Sequence, residues 1–134
     1  MAFEGQLLTY SRKAGADLSA LQYTFVKLDA NGNVIGAAAT GEDVIGVLQN
    51  KPKAGAPAVV GYAGVTKVVA SAALAAGARV ATDATGKAKA AVLLVQATGN
   101  ASYSMGKLLD AAAGAGSIVP MAIQVAGVLP TAAA

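Results

Sequence analysis

At 134 residues the chain has the length of one domain, and ten Lys and Arg against seven Asp and Glu leave a net charge of +3. Cys and His are both absent, which excludes disulfides, a thiolate nucleophile, a Cys-ligated metal and the imidazole that most often serves as general base. Charged residues are 13% and hydrophobic residues 55%, against a usual charged share of about 25%, so much of the surface is expected to be covered in the working state, the alternative being a soluble monomer with a surface mostly of Ala, Gly, Ser and Thr.

The start, Met1-Ala2-Phe3-Glu4, lacks the basic-then-apolar pattern of a secretory signal. Met1 to Ala20 has mixed polarity and no sustained period, and is expected to be an extended N-terminal arm or an irregular first strand before a β-rich body over residues 21–134. Tyr23 to Leu28 is β-branched and aromatic enough for a strand, and Ala30-Asn31-Gly32-Asn33 supplies the positive φ of a tight hairpin back into Val34 to Ala37. Val44 to Gln49, Ala58 to Tyr62 and Val65 to Ala70 follow as strands, the last two separated at Gly64.

Ala72 to Ala76 has helical propensity but is too short to stand alone. Arg79 to Thr82 and Lys87 to Ala91 form a second hairpin around Asp83-Ala84-Thr85-Gly86, with Lys87 and Lys89 facing outward. Ser104 to Ala113 is ambiguous: Met105, Leu108, Leu109 and Ala112 fit helical spacing, while Gly106 and the following Gly114-Ala115-Gly116 oppose it. Ala111 to Ala134 is uncharged, but Pro120, Gln124, Pro130 and its glycines make a poor spanning helix, so no membrane partner is expected. Ala-Gly precedes a strand at Ala54-Gly55, Ala76-Gly77 and Ala115-Gly116; spacings of 22 and 39 show no fixed period, so the pairs read as loop punctuation.

Candidate chemistry is sparse. Glu42-Asp43 is the one adjacent acidic pair, and neighbours on a strand point to opposite faces. Asp29 and Asp83 sit beside glycine-containing turns, where an Asp side chain bonds its own backbone. No catalytic, cofactor-binding or metal-ligating residue is assigned, and no enzymatic activity is expected. The basic residues are scattered, without the dense patch and interleaved aromatics of a nucleic-acid binder. For the tyrosines Tyr10, Tyr23, Tyr62 and Tyr103, contact with a partner and packing at the edge of a barrel both stay open. Arg12 and Lys13 are candidates to pair with acidic groups on a neighbour.

Asp17-Leu18-Ser19-Ala20 before Tyr23 to Leu28, Ile45 to Asn50, Ala54-Gly55 to Val68, Ala76 to Lys87, and Gly106 to Ala112 followed by Ala115-Gly116 occur in an order that resembles the small capsid decoration, or cement, proteins of tailed bacteriophages. The match runs over about Asp17 to Val119, leaving Leu93 to Ser102 and Val125 to Ala134 unmatched. The resemblance implies an all-β, compact small barrel or sandwich, and it favours a strand for Ser104 to Ala113. It also implies a homotrimer on the outer surface of an icosahedral phage head, a virion protein made in the host cytoplasm. There it would stabilise the head by bridging subunits of the major capsid protein. A different class, a carbohydrate- or ligand-binding surface domain of adhesin type, would need exposed aromatics, which are only 4% of the chain. A biotinyl- or lipoyl-type carrier would need a modifiable lysine at a hairpin tip; Lys87 lies near one, but its flanks do not fit.

Overall fold

Short apolar runs punctuated by glycine turns become strands throughout. The computed structural model describes residues 6–91 and 103–128, and among these there is no helix. Nine strands form: β1 (Leu7–Lys13), β2 (Phe25–Leu28), β3 (Val34–Gly36), β4 (Gly46–Leu48), β5 (Pro57–Val69), β6 (Arg79–Thr82), β7 (Ala88–Ala90), β8 (Tyr103–Leu108) and β9 (Ile118–Val128). They make one antiparallel sheet in the order β3-β2-β4-β5-β9-β8-β6-β7, with β1 added on β5. Val60 and Gly61 of β5 pair with both β1 and β4, which therefore lie on its opposite edges; residues 64–69 pair with β9. Of the arm expected over 1–20, Leu7–Lys13 is thus a strand of the sheet, and Ala14 and Leu18 are buried.

One local expectation is corrected, at Gly64, and two open stretches are resolved, Ser104 to Ala113 in favour of the strand that the resemblance favours. Gly64 does not separate two strands: β5 runs through it at φ 105°, and a Cβ there would strike the carbonyl of Gln6. Ala72 to Ala76 forms no helical turn; Leu74 instead exchanges hydrogen bonds with Ala112, at 3.0 and 2.8 Å. Tyr103–Leu108 is a strand between β6 and β9. Met105 and Leu108 both pack into the second core, as the equivalent Ile45 and Leu48 pack into the first, and this imitates helical spacing. Leu93 to Ser102 lies outside the described residues.

The sheet order reads the same from both ends because the chain is built twice. Residues 7–62 and 63–128 are two repeats that meet inside β5. Val26↔Gly36, Lys27↔Ile35 and Leu28↔Val34 in β2–β3 recur as Val80↔Ala90, Ala81↔Lys89 and Thr82↔Ala88 in β6–β7. Phe25↔Val47 recurs as Arg79↔Lys107, and Leu48↔Val60 as Leu108↔Met121. Lys13↔Pro57 of β1–β5 recurs as Val69↔Ile118 of β5–β9. Both hairpin turns are alike: Asp29 Oδ1 accepts the N–H of Asn31 and Asn33 at 2.8 and 2.9 Å, and Asp83 Oδ1 those of Thr85 and Lys87 at the same distances.

Ala54-Gly55 and Ala115-Gly116 are equivalent, since Gly55 N–H donates to Ala14 (2.9 Å) as Gly116 N–H donates to Ala70 (2.8 Å). Ala76-Gly77 matches Gln22-Tyr23 instead. The Ala-Gly spacings therefore compare unlike positions, and the offset itself drifts from 54 (Asp29 to Asp83) to 61 (Gly55 to Gly116).

Each repeat has its own core, with matched residues. Ala14, Leu18, Val26, Val34, Leu48, Ala58 and Val60 fill the first. Their counterparts Ala70, Leu74, Val80, Ala88, Leu108, Val119 and Met121 fill the second, which also takes in Phe25, Ala37, Val44 and Val47 from the first repeat. Strands β2 and β4 consequently divide two cores, with Phe25 and Val47 on one side and Val26 and Leu48 on the other, all fully buried. Since β5 and β9 stand between these strands and β6–β8 in the sheet, the sheet curls back on itself. Backbone bonds from Phe25 N–H to Gly86 (2.7 Å) and Gly41 N–H to Thr82 (2.8 Å) close the far side. The result is an all-β, barrel-like body. No helix of the described residues is long and apolar enough to cross a membrane.

Candidate docking surfaces

The interface candidates do not form one patch. Tyr62 is the extra residue where β1 and β5 slip register between Leu8 and Thr9, and this bulge turns its ring onto Tyr10, with centroids 5.3 Å apart and planes at 58°. Tyr62 is 43% exposed, whereas Tyr10 packs against the first core. Burial pushes the Tyr10 hydroxyl above its ordinary range, and the Tyr62 hydroxyl adds to this while the Arg12 charge opposes it. Two residues on, Arg12 lies on the same face of β1 and donates from Nε to the Gly32 carbonyl at 3.1 Å, tying β1 to the first hairpin turn. Lys13 points from the opposite face of β1, its stem near Gly55.

Tyr23 sits elsewhere. Its N–H donates to Leu48 at 2.7 Å, its carbonyl accepts from Val69 at 2.9 Å, and Lys67 Nζ lies 5.8 Å from its ring centroid. Together they line a groove of about 730 Å³ with Leu7, Gln49, Ile118 and Pro120, where the two repeats join; Asp110 and Thr66 reach it too. Gln49 is fixed there by bonds from Nε2 to Val47 (3.0 Å) and to Thr66 Oγ1 (2.7 Å). Tyr103 is separate again, half-buried at the start of β8 with its N–H on Gly41 at 3.0 Å.

Charge is arranged unevenly. Lys27 and Glu42 pair at 2.8 Å, the one salt bridge among the described residues, and Glu42 also accepts the N–H groups of Ala38 and Ala39. Glu42 is therefore a structural tie between β2 and the β3–β4 connection, and the acidic pair Glu42-Asp43 is divided. Asp29 and Asp83 are turn residues, as their positions suggest.

One basic surface was not visible in the sequence. Arg79 of β6 and Lys107 of β8 stand directly opposite each other, and Lys89, opposite Ala81, is on the same sheet face. Arg79 is held by Nη1 to Ser104 Oγ at 2.8 Å and to the Gln124 carbonyl at 3.4 Å. Arg79 and Lys89 belong to one hairpin, but Lys107 is far from both along the chain, and only strand register brings it beside them.

No protein family and no curated protein sequence matches the chain. Among solved structures the chain is similar to the N base of head fiber gp8.5 in bacteriophage phi29, at a TM-score of 0.64 and 16% identity. The similarity covers 89% of this chain and 95% of that one, so it extends over both repeats and is one of fold.

Proposed function

We propose that this chain is a structural protein of a phage head, carried on the outer surface of the virion. It stabilises the icosahedral shell by bridging subunits of the major capsid protein, and does so as a homotrimer without catalysis or cofactor. The observation that carries this reading is the shared fold with a head-fiber base over nearly the whole chain, joined to the sequence order typical of decoration proteins. A surface poor in charge and a body of small apolar residues suit adhesion through fitted area, for which a stable complex needs more than about 1,000 Å².

The deciding experiment mixes purified protein with undecorated, expanded heads of its own phage. Co-sedimentation, ordered density on the head exterior and a raised head-disruption temperature are expected. Absence of binding at micromolar protein refutes the role. Light scattering of the free protein tests the trimer.

A further inference from the structure

We propose that the outer sheet face of the second repeat, centred on Arg79 and Lys107, is the docking face of this protein, and that it receives an acidic protein surface. The proposal deepens the head-binding reading and takes from it only the identity of the partner.

The repeat identifies the face. In the first repeat the same sheet face carries Phe25, Ala37, Val44 and Val47, and it is buried against the second repeat. The counterparts in the second repeat are Arg79, Ala91, Ser104 and Lys107. In the second repeat the positions of Phe25 and Val47 hold cations, and Lys107 is exposed and Arg79 half-buried above the buried Ser104.

A terminal repeat needs only a polar outer face. What stands here is more specific. Arg79 and Lys107 face each other across adjacent strands, where opposed Cβ atoms are about 5 Å apart and like charges destabilise the sheet. No carboxylate among the described residues forms a salt bridge with either, and Lys89 adds a third positive group on that face. Serine, or an acid at one of the two positions, would cap the repeat without the repulsion. The pair makes sense when carboxylates from outside come between the two cations. Arg79 is already oriented by Ser104 and Gln124, and this reduces the ordering needed to form a forked bond to a carboxylate. Nucleic acid fits less well, because three cations without stacking aromatics make a weak phosphate site.

The test uses the full chain and Lys107→Glu, which turns the repelling pair into an attracting one. The variant is expected to unfold at a higher temperature yet bind expanded heads about tenfold more weakly, and wild-type head binding is expected to weaken steeply between low and high salt. Retention on immobilised poly-L-glutamate, run beside duplex DNA, follows the same order without needing heads. Undiminished head binding by Lys107→Glu overturns the inference and leaves the proposed function standing. If the wild type binds no heads, the proposed function fails, and poly-glutamate decides: retention lost in Lys107→Glu supports the face, no retention overturns it. Tighter binding to DNA than to poly-glutamate also overturns it.

Discussion

Tyr23 occupies the position that Gly77 holds in the second repeat. Both residues have positive φ, 65° and 82°, and both donate their N–H at 2.7 Å to equivalent leucines, Leu48 and Leu108. Tyr23 is the one non-glycine residue with positive φ among those described. A side chain there costs about 1–2 kcal/mol, offset by contact with Lys67 and the groove walls.

Tyr23→Gly is therefore expected to change folding stability by less than about 1 kcal/mol, although truncating a buried aromatic elsewhere costs about 3–5 kcal/mol. Urea unfolding checks this. Tyr23→Val, which cannot relax into the left-handed region, is expected to lose clearly more than Tyr23→Gly.

Gly46 and Gly106 are equivalent, and each lies under a neighbouring strand. An added Cβ collides with the Gly61 carbonyl at the first and the Ala122 carbonyl at the second. Gly46→Ala and Gly106→Ala are each expected to destabilise by about 1–3 kcal/mol. Gly77→Ala meets nothing within 4 Å and should lose only the conformational cost of about 1 kcal/mol. Comparing the three thermal midpoints separates collision from backbone preference.

The twin aspartates should behave as twins. Asp29→Ala and Asp83→Ala each remove an acceptor of two backbone N–H bonds, and a loss of about 1–3 kcal/mol is expected for each. Asp83→Ala also frees the Thr85 hydroxyl and should be the more damaging. The Asn variants keep an acceptor oxygen and should fall between wild type and Ala in chemical unfolding.

Acid should loosen the tie at Glu42. Burial raises this carboxyl, but the hydrogen bond and charge of Lys27 and the N–H groups of Ala39 and Ala38 outweigh it, and the net shift is below the ordinary 4.5. A group lowered in the folded state contributes stability that is full above the ordinary value and disappears as pH falls through the folded value. Stability followed downward from about pH 6 should thus fall, and Glu42→Gln should flatten that part of the curve while lowering stability at neutral pH.

Much of the strand content could be read directly. The Asn31-Gly32 and Thr85-Gly86 turns were legible because glycine and aspartate make local bonds that need no distant partner. Ser104 to Ala113 was not, because Met105 and Leu108 lie three residues apart yet reach one core, and only the pairing with β6 and β9 distinguishes this from a helix. The tyrosines named as interface candidates do not act as one group: a bulge joins Tyr10 to Tyr62 and leaves Tyr23 and Tyr103 apart.

By itself, the order of amino acids determined that this is a β protein with glycine-governed turns and no His or Cys chemistry, because propensity, turn geometry and side-chain reactivity are local properties. Only the tertiary structure decided that the chain is one unit built twice, and that Arg79 and Lys107 share the face whose counterpart is buried. Cross-strand register is a long-range quantity. It is fixed when the two cores fill, and the drifting offset between repeats hides it from any reading of spacing along the chain.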